Sequence, residues 1–383
     1  MVDLVFDVET SMKPLCDPYN PKAKLCYIGL LQDSKHYVDY PIEYTDAPYG
    51  QSLNLVQEIV ACSDTLVGAN IKFDLNWCMR YGIQFTGKLI WDVLLVQYIL
   101  NHQLTPYISL NEAAAQWGLD PKLDVVKLEY WDRGIDTPEV PEQILRDYLK
   151  QDVSLTYQIY ELQKAEVEKR GILSLVRLHN QDLLMLVEME HNGNRYDSTG
   201  SLGAAQKAQE DIDKLLAELH KYTPIAPRCW STDFISLLLY GGIYKYVEKE
   251  AYTFTYKDGS TTEKMHNVEK AVELPRLVEP PKQKREKEGF WPTDEATLKN
   301  LKATGIAKKI VEALLKLRTI EKLVGTYLEG FPKRIEEAGW ERELIHTSYS
   351  QTTAVTGRLT SSKPNVQNVP PEQKPHFTTR YGE

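Results

Sequence analysis

The alternation of apolar and polar positions opens on a strand. Residues 3–9, DLVFDVE, place β-branched and aromatic residues between acids, the period-two pattern of a half-buried strand. Apolar runs at 25–31 and 64–70 predict two more strands. The period then lengthens, predicting helices over 74–81, 93–100 and 141–165. Strands first, then helices interleaved with short strands, predict an α/β layered domain of about 165 residues. From Leu173 onward the pattern is mainly helical. Leu183, Leu184, Val187 and Glu188 begin one stripe, and Ile212, Leu215, Leu216 and Leu219 form another. A third, long stripe runs through Leu298, Leu301, Ile310, Leu314, Leu317, Val324 and Tyr327. Such spacings mark helices that bury one face. Residues 244–289 interrupt them with alternating Tyr252, Phe254 and Tyr256, a Lys257-Asp258-Gly259 turn and the run PPKQKREKEG. That segment predicts a β-hairpin followed by a flexible loop.

A chain of 383 residues is too long for one core, so two or three domains are expected. No stretch approaches the roughly 18 apolar residues of a membrane span. The first ten residues, MVDLVFDVET, carry acids where a secretory signal carries bases. Cys16, Cys26, Cys62, Cys78 and Cys229 are scattered and odd in number, which predicts reduced thiols in a cytoplasmic protein. The net charge of −9 is uneven: residues 1–160 carry −10 and the remainder +1. An acidic first domain beside a near-neutral second one points to chemistry done by carboxylates.

Three short patterns give that chemistry a shape. Asp7 and Glu9 lie two apart on the first strand, so their side chains leave one face. Like charges placed together there repel unless a cation neutralises them. Asn70 and Asp74, in NIKFD, stand at the start and in the first turn of a helix. Tyr148 and Asp152, in YLKQD, lie four apart on one face of another. Strand carboxylates facing helix carboxylates make an oxygen-only cage of the kind that hard divalent cations favour.

In this order and at these spacings the patterns resemble the DEDD family of 3′→5′ exonucleases, in its tyrosine subclass. The resemblance covers roughly the first 165 residues. It implies an RNase H-like fold and two divalent ions, Mg²⁺ or Mn²⁺, held by Asp7, Glu9, Asp74 and Asp152. By the same resemblance Asp7 is the bridging carboxylate, and Glu9 and Asp152 complete the site of the attacking water. Asp74 serves the second ion, Tyr148 orients the water, and Asn70 contacts the terminal nucleotides.

Residues 345–370, IHTSYSQTTAVTGRLTSSKPNVQNVP, resemble the first polymerase motif of the family A, DNA polymerase I-like enzymes. The resemblance implies that Arg358 reaches the minor groove near the primer terminus, and that Asn365, Gln367 and Asn368 contact template and primer. LVEMEHNGNRYD (186–197) resembles the start of that polymerase domain, and LKLRTIEKLVGTYLEGFP (315–332) its thumb helix, with Lys316, Arg318 and Lys322 facing phosphates. The expected division is residues 1–170 as exonuclease, 171–345 as the start of the polymerase domain and a mainly helical thumb with an insertion at 244–289, and 346–383 as the beginning of an α+β palm.

From Asn365 onward there is no aspartate, whereas transfer to a primer needs metal-holding carboxylates. The expectation is therefore an exonuclease-bearing amino-terminal half of a replicative polymerase, of phage type. It would act on single-stranded 3′ ends and primer-template duplex in the host cytoplasm. A separate carboxy-terminal half would restore polymerisation, a processivity factor is a further possible partner, and the backbone from His346 onward would lie unpaired without that half. A truncated chain is the other account of the missing motifs. An RNase D-like ribonuclease and a catalytically silent DNA-binding scaffold are the competing classes.

Overall fold

The computed structural model describes residues 2–44, 48–106, 108–223, 225–226, 230–283, 288–341 and 343–379. Packing divides the chain into two compact units, Met1–Ser201 with Phe331–Glu383, and Leu202–Gly330.

The first unit is built on five strands: β1 (Asp3–Thr10), β2 (Leu25–Gln32), β3 (His36–Pro41), β4 (Thr65–Gly68) and β5 (Leu89–Asp92), in the order β3-β2-β1-β4-β5. The β1–β2 and β2–β3 pairs are antiparallel, and β1–β4 and β4–β5 parallel. This is the RNase H-like arrangement expected. Its helices are α1 (Gly50–Cys62), α2 (Ile71–Arg80), α3 (Val93–Leu100), α4 (Leu110–Gln116), α5 (Val125–Glu129), α6 (Glu142–Arg170) and α7 (Leu173–Asn192). The strand β2 is buried along nearly its whole length, as a strand between two others and beneath a helix must be. Leu25, Ile28, Leu66, Leu145 and Leu149 are almost fully withdrawn from water, each contributing about 1.5–3 kcal/mol of apolar burial.

The same unit takes in β6 (Asn194–Tyr196), and the two units share α8 (Ser198–Leu219). The second unit adds α9 (Thr232–Tyr240), β7 (Gly242–Thr255), β8 (Thr261–Leu274), α10 (Glu295–Asn300) and α11 (Gly305–Leu323). Its core gathers Leu219, Phe234, Leu298, Ile310 and Leu314. The β7–β8 ribbon pairs from Gly242↔Leu274 to Thr255↔Thr261 around the expected turn. Its base packs on that core through Tyr244, Tyr246 and Val272, while Tyr252, Phe254 and Tyr256 near the tip are exposed. The basic run after it falls partly outside the described residues.

Two expectations need correction. The stripe from Leu298 to Tyr327 is not one helix. Helix α10 stops at Asn300, Gly305 adopts a φ of +56° at the start of α11, and Val324–Leu328 widens into a π-helical turn. Nor does the backbone beyond His346 lie unpaired. After α12 (Gly330–Ala338) come β9 (Leu344–Ile345), β10 (Ser348–Ser350), β11 (Thr360–Ser362) and β12 (Phe377–Thr378). The β10–β11 pair forms one small sheet, and β12 and β9 flank β6 in another. Within residues 346–379, β10 and β11 thus pair with each other and β12 pairs with β6, so these strands have backbone partners.

Among the described residues no helix is long and apolar enough to cross a membrane. Cys16, Cys26, Cys62 and Cys78 are free; Cys229 lies outside the described residues.

Candidate active site

Strand β1 delivers Asp7 and Glu9 to the face that α6 covers. Gly29 is the cross-strand partner of Asp7, and a Cβ built on it would stand 2.8 Å from Cγ of Leu149. The missing side chain lets α6 approach. The helix is tied along its length to the sheet: the Tyr27 hydroxyl donates to Glu142 Oε1 at 2.6 Å, Arg146 Nε meets Asp39 Oδ1 at 2.9 Å, and the Tyr160 hydroxyl donates to Asp3 Oδ2 at 2.7 Å. Held so, α6 turns Tyr148 and Asp152 toward β1. Ligand oxygens of Asp7, Glu9 and Asp152 lie within 4.8 Å of one another.

Asp74 reaches the site from the other side. The β1–β4 pairing ends at Val5↔Val67, and farther along β1 the amide of Val8 donates to Asp74 Oδ1 at 2.9 Å. Asp74 is thereby fixed between the two strand acids, buried, and outside the three-acid group. Asn70 takes a left-handed conformation (φ 57°, ψ 40°) before α2, a conformation that asparagine tolerates better than most side chains. Its side chain makes no cap. Asp92 supplies that function instead, accepting from the amides of Asn70 and Ile71 at the start of α2 and of Leu94 and Leu95 at the start of α3. Asn70 borders two clefts, of 360 and 680 Å³, both shared with Lys72 and Ser348. The carboxylates line neither.

The acids are unstable as a group of free anions. Burial, followed by the charge of Asp152, holds the Asp7 carboxyl well above its ordinary range, against the pull of Lys122. Burial and then Asp7 and Asp152 do the same to Glu9, and burial and then Asp7 to Asp74. Asp152 is raised by burial to about 6, with Lys122 opposing. Asp152 Oδ1 is buried with no hydrogen-bond partner. An oxygen-only donor set, a converging trio and an orphaned carboxylate oxygen fit a hard divalent cation. Asp7, Glu9 and Asp152 would hold it, with Asp74 beside them.

Tyr148 is buried against Trp131, their rings 5.9 Å apart and edge to face. Burial, reinforced by the charge of Asp152, pushes its phenol further up, so at neutral pH it acts as a hydroxyl. Lys122 Nζ donates to the Tyr148 hydroxyl at 2.8 Å and to Asp152 Oδ2 at 2.6 Å. The sequence reading missed this lysine. It lies 26 and 30 residues from its two partners, and no local pattern connects them. Asp92 was also missed, although an acid directly before an apolar helix is a start signal.

The polymerase-like residues are less concentrated. Arg358, Gln367 and Asn368 are exposed. The Asn365 side-chain oxygen accepts from Ser361 Oγ and the amides of Gln367 and Asn368, which shapes the local turn. In the second unit, Arg318 donates to the Thr293 carbonyl at 2.5 Å, while Lys316 and Lys322 are exposed. Lys316 lies about 200° around α11 from Arg318, so the three cations do not share one face. Glu190, within the segment resembling the start of the polymerase domain, is buried. It pairs with Lys72, accepts from Asn76 Nδ2 at 2.8 Å and from the Tyr349 amide at 2.6 Å, joining α2 to β10.

Comparison with known proteins matches residues 1–168 to a family described as 3′-5′ exonuclease and residues 247–381 to DNA polymerase family A. DNA polymerase I of Synechocystis sp. is 25% identical over 307 residues, covering 79% of this chain and 26% of that protein. DNA polymerase I of Rhizobium leguminosarum is 24% identical over 365 residues, covering 92% of this chain and 31% of the relative. The thermostable DNA polymerase I of Thermus aquaticus is 40% identical over 87 residues, 23% of this chain and 10% of that one. The chain thus spans no more than about a third of the length of these relatives. A solved structure, the POL domain of Pol1 from M. smegmatis in complex with DNA primer-template and dNTP, matches with a TM-score of 0.65 at 17% identity, over 96% of this chain and 52% of that one. At that identity the likeness speaks for the fold.

Proposed function

We propose that this chain, whose residues 1–168 match a 3′-5′ exonuclease family and residues 247–381 DNA polymerase family A, hydrolyses DNA from the 3′ end as the proofreading arm of a replicative polymerase. The observation that carries the reading is the convergence of Asp7, Glu9 and Asp152 within 4.8 Å, with Asp74 and Tyr148 at its edge. In the reaction a water oxygen attacks phosphorus, the bond from phosphorus to the 3′-oxygen breaks, and that oxygen leaves with a proton. The products are a 5′-mononucleotide and a strand shortened by one residue. Two bound Mg²⁺ or Mn²⁺ ions would supply an activated water and neutralise the leaving oxygen. Asp7, Glu9 and Asp152 would hold the first, and Asp7 and Asp74 the second. Tyr148 orients the water through its un-ionised hydroxyl, and Asn70, exposed on the clefts, meets the terminal nucleotides.

Duplex DNA would be held by the helical second unit, through Arg318 and Lys322 on one face of α11, and by Arg358, Gln367 and Asn368, with Asn365 shaping their turn. Polymerisation needs metal-holding carboxylates, and residues 365–383 contain no aspartate. The enzyme would work in a phage-infected cytoplasm, and the exposed β7–β8 ribbon is available to a processivity factor. The test is degradation of a labelled single-stranded oligonucleotide with Mg²⁺ and with EDTA. Stepwise, chelator-sensitive shortening from the 3′ end that Asp7→Ala abolishes is expected. Shortening that survives Asp7→Ala overturns the assignment.

A further inference from the structure

We propose that Lys122 is a positioning residue of the exonuclease reaction, fixing both the tyrosine that orients the water and the carboxylate that presents an oxygen to the metal. This rests on the reading of the site as a metal-dependent exonuclease.

Three features of the geometry carry it. The backbone of Lys122 is anchored, its amide donating to Asn111 Oδ1 at 2.9 Å. Its ammonium reaches Tyr148 and Asp152 together, sits 4.3 Å from the centre of the Tyr148 ring, and is largely buried. It also lies 3.7 Å from Asp124 Oδ1. An ammonium has donors and no lone pair, so the direction of the bond to Tyr148 is settled: the phenol oxygen accepts. The single phenol proton must then point elsewhere, and is available to a water or phosphate oxygen. The second contact divides Asp152. Oδ2 is tied to the lysine while Oδ1 is left buried and unpartnered. One carboxylate oxygen is immobilised and the other is presented for coordination.

The lysine therefore does two things that oppose each other in binding and agree in turnover. Its positive charge repels a nearby cation, and its hydrogen bonds order the groups that use one. Lys122→Met should lower kcat about 10- to 100-fold and leave KM for a single-stranded oligonucleotide within about twofold. The same substitution should tighten Mn²⁺ binding about threefold or more, measured by calorimetry without DNA, because a positive charge has left the site. In a Tyr148→Phe background the loss should shrink, since part of the lysine's effect passes through the missing hydroxyl. Lys122→Arg, which keeps charge and donors, should recover part of the rate.

Weaker Mn²⁺ binding in Lys122→Met would mark a collapsed site and overturn the proposal. So would a Lys122→Met loss undiminished in the Tyr148→Phe background, or a wild-type kcat. If the wild-type chain shows no Asp7-dependent hydrolysis at all, the exonuclease reading fails and takes this inference with it. If that hydrolysis is present and unmoved by Lys122→Met, the lysine's role alone is excluded.

Discussion

Gly29 faces Asp7 across the antiparallel β1–β2 pair, and the space its missing side chain leaves is filled by Leu149 of α6. The contact sets how near Tyr148 and Asp152 come to the strand acids. Gly29→Val would push on Leu149 from below, at a cost of about 1–3 kcal/mol for an overpacked core. The expected result is a lower Tm and a larger proportional loss of exonuclease rate than of DNA binding. Wild-type kinetics in a folded Gly29→Val protein would show that the spacing is not limiting.

Asp7 is central to the repulsion and, in the proposed reaction, to the chemistry. Asp7→Asn should cut hydrolysis by about three orders of magnitude or more. It should nevertheless raise the Tm of the metal-free protein at pH 8, because one of the mutually repelling carboxylates is gone. With Mn²⁺ present the order should reverse, since only the wild type gains the full stabilisation of the bound ion. Thermal melts of both proteins, with EDTA and with Mn²⁺, measure this directly.

The carboxyl of Asp152 predicts a pH window. Burial raises it to about 6 in the folded chain, against about 3.9 when unfolded. A carboxyl raised on folding contributes stability that is fully present below the unfolded value and lost as pH rises through the folded one. The metal-free wild type should therefore lose this contribution between about pH 4 and 6, while Asp152→Asn, which cannot ionise, keeps it. The Tm difference between the two should grow across that window and level off above it. Mn²⁺ affinity should move the other way, falling as pH drops below about 6 because the ion needs the deprotonated form.

Glu190 should matter for stability more than its exposed neighbours. Truncation to alanine strands the Lys72 ammonium and the Asn76 amide in a largely dry setting, at a cost of about 3–5 kcal/mol. Urea denaturation should show that loss, and pairing the change with Lys72→Met should recover part of it. Equal losses in the single and double variants would mean that the pair contributes nothing beyond packing.

Arg358→Ala should weaken primer-template affinity with little dependence on base sequence, because minor-groove acceptors are nearly degenerate. Binding isotherms on two duplexes of different sequence and several salt concentrations provide the check. A changed base preference would contradict a geometric role.

Much of this protein was legible along the chain. The strand acids Asp7 and Glu9 share a face because side chains alternate every residue, and Tyr148 and Asp152 share one because a helix turns every 3.6 residues. Those relationships are local, so spacing alone predicts them, as it predicts Asp74 in the first turn of α2. The break in the 298–327 stripe was missed for the converse reason: apolar spacing persists through Gly305 and the π turn although the backbone path does not. What the chain could not show was which distant groups meet. Lys122 beside Tyr148 and Asp152, Glu190 between Lys72 and Tyr349, Gly29 beneath Leu149 and β6 between β9 and β12 are all set by how layers pack. No short-range periodicity encodes a contact between elements far apart in sequence. It is settled only when burying the apolar faces brings them together and the buried polar groups must find partners.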